Sequence, residues 1–141
     1  MKLFLTFLLG SLISLSAFVP EDIPLQVVNV SLAARIESAR LTVDRESRVF
    51  SYSQVIQNTS TKGILSVSLE LKTTNVVEGH DVNSSVHVER IETRIAPNLS
   101  SNVCVAVDAE MPAFLQDVKA GTVSIIKVQF DDGTIWERPE K

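Results

Sequence analysis

From Leu65 to Lys72 the chain alternates strictly: Leu65, Val67, Leu69 and Leu71 point one way, and Ser66, Ser68, Glu70 and Lys72 the other. A period of two builds a strand with one buried face, whereas an apolar stripe on a helix recurs every 3.6 residues. One such strand cannot hide its apolar face alone. It demands a second packed layer.

The rest of the chain supplies further strands, each bounded by turn residues. Leu25 to Leu32 aligns Val28, Val30 and Leu32. Val49 to Asn58 aligns Phe50, Tyr52 and Ile56, and the polar segment Asn58 to Gly63 turns it into the Ile64 strand. Asn75 to Ser85 reads as a longer loop around Gly79, His80 and Asp81. In Val86 to Ile95 the phase changes, since Val86 and Val88 share one parity while Ile91 and Ile95 take the other. A β-bulge near Glu89-Arg90 reconciles them. Val103 to Val107 is a short strand, Met111 to Gly121 a connection with one helical turn, and Thr122 to Phe130 aligns Ser124, Ile126, Val128 and Phe130. Asp132-Gly133 is a hairpin signal leading into Thr134-Ile135-Trp136. Leu32 to Leu41 reads equally as a strand or a short helix. The sum is seven or eight strands in one all-β, antiparallel sandwich, with a small barrel as the alternative.

The first residues have a different character. Lys2 precedes the apolar run Leu3–Ile13, and Ser14-Leu15-Ser16 places small residues before Ala17. This is the order of a secretory signal peptide, predicting a leader over 1–16, a β-sandwich domain over 17–141 and a periplasmic or extracellular destination. The run is shorter than the roughly 20 apolar residues of a spanning helix, so no membrane span is expected after the leader is removed. Loss of Lys2 takes 13 basic residues to 12 against 17 acidic ones, a net charge of −5. Without a basic cluster there is nothing to neutralise phosphates, and nucleic acid is not expected as a partner. Cys104 is the one cysteine, so the exported core must stand without an internal disulfide. Its setting between Val103 and Val105 predicts a small buried hydrophobe.

Two stretches carry a resemblance. Val55-Ile56-Gln57-Asn58-Thr59-Ser60, followed by Ile64 and its alternating strand, is similar to a segment of small exported immunoglobulin-like domains. Ile95-Ala96-Pro97-Asn98 with Ser100-Ser101 resembles their Leu-x-Pro-Gly-x-Ser turn, with Asn98 where Gly is usual. The FxLYD and CARDB-type bacterial domains are the examples, although the FxLYD motif itself is missing. The likeness covers about Val49 to Val107 and implies an immunoglobulin-like sandwich with a binding or structural role. It carries over no catalytic residues.

Chemistry-bearing constellations are few. His80-Asp81 and His87-Val88-Glu89 together hold two imidazoles and two carboxylates, the donor types of a zinc site. No Gly-x-Ser-x-Gly elbow marks a serine nucleophile, and no base accompanies Cys104. Asp131-Asp132 belongs to a turn. Arg90-Ile91-Glu92-Thr93-Arg94 reads as a solvated strand face or a recognition stripe, and Trp136 as a sheet-packing residue. Asn29, Asn58, Asn83 and Asn98 each open an Asn-x-Ser/Thr triplet, which only a eukaryotic secretory host would glycosylate. The sequence therefore points to an exported, non-catalytic module that binds a protein or cell-surface partner, with no cofactor, metal or catalytic residue assigned. The alternative is a small-molecule, metal or catalytic site in the loop around His80.

Overall fold

The computed structural model describes residues 20–110, 115 and 117–140, the side chains at 76–77, 81–85 and 105–110 excepted. The expected leader over 1–16, its cleavage before Ala17 and part of the Met111–Gly121 connection lie outside these residues. The described chain is an all-β sandwich of nine strands. One sheet holds β1 (Glu21–Ile23), β3 (Ala34–Asp44), β4 (Val49–Asn58) and β7 (Ser100–Glu110) in the order β1-β3-β4-β7. The other holds β2 (Leu25–Val27), β8 (Ala120–Phe130), β5 (Ile64–Val77) and β6 (His80–Ile95) in the order β2-β8-β5-β6, with β9 (Ile135–Glu137) also on β8. Neighbours are antiparallel except β2 and β8, which run parallel. Pro24 marks the passage from one sheet to the other between β1 and β2, where its missing N–H is no loss to either ladder.

The core lies between the sheets, around Ile36, Leu41, Ile56, Val67, Leu69, Val123 and Ile125, all at most 2% exposed. Bulges decide which residues reach it. In β3 the register shifts between Ile36 and Ser38, so buried residues move from even positions (Ala34, Ile36) to odd ones (Leu41, Val43). That slip is why Leu32 to Leu41 showed no clean period; it is a strand from Ala34 onwards. On β8, Ile126 is the extra residue opposite the step from Ser68 to Leu69. Val123 and Ile125 face inward before the bulge, and Val128 and Phe130 after it. The expected alignment of Ser124 and Ile126 with Val128 and Phe130 is therefore broken. Leu65 is likewise the extra residue against β8, which leaves Ile64 buried and Leu65 only partly so.

Three further expectations change. Beyond Val27 the Leu25–Leu32 segment leaves the sheet, with Val28, Val30 and Leu32 exposed. Asn29 takes over instead: its Nδ2 donates to the Ile36 carbonyl at 3.0 Å and its Oδ1 accepts from the Ile36 N–H at 2.8 Å. The amide thus does the work of a strand residue. The expected long loop at Asn75–Ser85 is a two-residue turn, Glu78-Gly79, with φ of 52° and 80°. Both values suit the type I′ turn that matches strand twist. Finally, no register shift occurs at Glu89-Arg90. Val86 and Val88 simply face solvent.

Candidate functional site

The outer face of the second sheet gathers charged groups that the sequence disperses. Register sets Val86 and Val88 of β6 beside Lys72 and Glu70 of β5, and these beside Thr122 and Ser124 of β8. Beyond β8 lie Val28 and Val30 on one side and the segment after β9 on the other. They enclose a concavity of about 730 Å³. It exists because β2 and β9 share one edge of β8 without meeting. Val28 N donates to the Val123 carbonyl at 2.9 Å, and Arg138 N to the Ile126 carbonyl at 2.8 Å.

Glu70 sits at the centre of this face. Arg138 grips its carboxylate with two hydrogen bonds, at 3.0 and 2.9 Å, and approaches Ser124 Oγ at 3.4 Å. Lys72 Nζ lies 3.3 Å from the same carboxylate, whose side chain is 11% exposed. The Arg138 guanidinium holds Glu70 below its ordinary value, with Lys72 helping, while burial pushes the other way. A forked, two-bond pair fixes geometry as well as charge. This clasp ties the segment after β9 to the middle of the sheet. Alternation placed Glu70 and Lys72 on one face, but nothing in the spacing signalled Arg138, 68 residues away.

Among the described residues, those singled out from sequence do not assemble into a reaction centre; the Asp81 side chain lies outside them. His80 opens β6 beside the Glu78-Gly79 turn, and His87 lies seven residues along the same strand. At about 3.3 Å of rise per residue the two are roughly 23 Å apart. His87 Nε2 and Glu89 Oε2 do meet, at 3.0 Å. Among the described residues no group of three His, Cys, Asp or Glu could hold a metal ion. Cys104 is exposed rather than buried, because Val103 takes the inward position. Arg90 bonds Glu92 at 2.9 Å and Gln129 at 3.1 Å on the solvated face. Trp136 packs partly buried against the core. Among the described residues no helix is long and apolar enough to cross a membrane.

The Asn-x-Ser/Thr triplets separate by burial. Asn58 is fully buried; its Nδ2 donates to the Lys62 and Ile95 carbonyls at 2.7 and 2.9 Å, and its Oδ1 accepts from Ser60 N and Oγ. Asn29 is held as described above. Asn98 is exposed at the crossover from β6 to β7 with φ of 62°, the conformation for which Gly is usual. The Asn83 side chain lies outside those described.

No protein-family model matches the chain, and no curated protein matches it. Its fold is similar to the crystal structure of a hypothetical protein from Peptoclostridium difficile 630. The TM-score is 0.52 at 12% identity, over 77% of this chain and 87% of that one. At that identity the likeness concerns fold alone.

Proposed function

We propose that this chain is an exported, non-catalytic, immunoglobulin-like sandwich module that binds a protein or surface partner through the outer face of the second sheet. The observation carrying this reading is the placement of exposed Val86 and Val88, at 59% and 52%, beside the Lys72, Glu70 and Arg138 cluster. Exposed apolar side chains bordered by polar and charged groups are the make-up of a recognition surface. Export rests on the residue order of the leader. The test is capture from the native exported fraction by the tagged chain and by Lys72→Glu and Val30→Asp variants. One partner retained by the parent and lost by both variants supports the reading. Equal capture by all three, or a mature N-terminus still starting at Met1, counts against it.

A further inference from the structure

The edges of this sandwich are protected unequally. Edge strands invite pairing with other chains, and most are kept short, bulged, or marked with Lys or Pro. β1, β2 and β9 have three residues each, and Pro20 and Pro24 flank β1. β7 is longer, but its register against β4 shifts on either side of Tyr52. β6 differs from all of them. Its 16 residues contain no Pro and no Lys, and from Asn83 to Glu92 it pairs with β5 without a register shift. Among the described residues no strand pairs with its other edge.

Going beyond the partner-binding reading of the outer face, we propose that β6 pairs edge to edge with β6 of a second copy. The strands run antiparallel about a twofold axis at Val88. In an isologous contact about residue n, position n+k meets n−k of the other copy. Centred on Val88, the two exposed Val88 side chains meet on the outer face, and Val86 lies along the stem of Arg90 of the other copy. On the inner face His87 meets Glu89 of the other copy, twice over. Moving the axis to Glu89 sets two carboxylates directly opposite, and moving it to Glu92 does the same, so like charges oppose those registers. An axis at Ile91 brings the pairing into the stretch between Glu92 and Ile95, where β6 loses its regular match to β5. The Val88 register pairs Ser84 to Glu92 with the same residues of the other copy, the whole regular stretch but for Asn83. It also joins the two outer faces into one continuous surface.

The test uses the full chain with Cys104→Ser, so that engineered thiols are the only ones. Sedimentation velocity from low-micromolar to sub-millimolar concentration is expected to show a monomer–dimer equilibrium. Val88→Lys, which sets like charges across the axis at an exposed position, weakens it by about tenfold or more with an unchanged circular dichroism spectrum. Val88→Cys forms a disulfide dimer on mild oxidation. Val86→Cys does not, since its copies sit four residues out of register, about 13 Å along the strand, beyond the roughly 7 Å Cα reach of a disulfide. Equal cross-linking of both cysteine variants overturns the register. A monomer at every concentration overturns the dimer. If Lys72-dependent capture of a foreign protein persists in that monomer, the partner-binding reading stands without it.

Discussion

Asn58 and Asp132 build the same turn in two different places. In each, Oδ1 accepts from the backbone N–H two residues on and from that residue's hydroxyl: Ser60 at 2.9 and 2.7 Å, Thr134 at 2.9 and 2.5 Å. Lys62 lies between the two turns, its carbonyl accepting from Asn58 and its ammonium lying 2.7 Å from Asp132 Oδ2. Asn58, however, is fully buried at the corner where β4 leaves one sheet and β6 the other, whereas Asp132 stands in solvent. The motif is shared, but the cost of losing it is set by what water can replace.

Replacing Asn58 by Ala therefore has the largest expected effect. It strands the Lys62 and Ile95 carbonyls and the Ser60 N–H, and should lower stability by about 3 kcal/mol. Denaturant unfolding would check this, and a loss below that of an ordinary surface substitution would break the comparison. Gln54 sharpens it from the other side. It lies on the same inward face of β4 at 1% exposure, yet neither amide atom finds a partner among the described residues. The same is true of the Tyr52 hydroxyl, whose phenol burial pushes up. At a corner, loose backbone groups await an amide; in mid-strand the ladders to β3 and β7 have used them. Gln54→Leu should accordingly raise stability, by about 1 kcal/mol.

That contrast also explains what could be read from the sequence. Alternation in β5 and β4 was legible, because most side chains there keep strict parity with the core. The Asp132-Gly133 hairpin was legible because turn chemistry is local. The slips at Glu37, Leu65 and Ile126 were not, since an inserted residue erases the period that would reveal it. Asn58 read only as the start of a polar turn and of one Asn-x-Ser/Thr triplet among four, and Cys104 as a core residue, because burial at a sheet crossover depends on the opposite sheet. Of the candidate face, Glu70 and Lys72 were placed together, whereas Arg138 reaches them only through the return of β9 onto β8.

Glu70 tests an intermediate case, a charge mostly covered but satisfied by side chains rather than backbone. Glu70→Gln keeps the shape and loses the charge, and should cost about 1 kcal/mol at neutral pH, since Arg138 is partly solvated and screened. The folded pKa is depressed, so the contribution is fully present above the ordinary value of 4.5 and is lost as the pH falls through the lower folded value. Thermal melts taken down through that range should converge for parent and variant. A gap that persists at the acid end would mean that packing, not charge, carries the difference.

Asp132 gives the smallest effect and the sharpest pH window. Lys62 and Thr134 hold its carboxyl at about 2, against an ordinary 3.8. The sign is that of a depressed acid: the contribution is complete above 3.8 and disappears as the pH falls towards about 2. Because the group is exposed, added salt should shrink the effect as well, by screening the contact with Lys62. Asp132→Asn keeps an oxygen to accept from Thr134 and loses only the charge. Its melting temperature should match the parent in high salt and fall slightly below it in low salt at neutral pH. A loss as large as that of Asn58→Ala would show that the turn geometry, and not burial, sets the value of this motif.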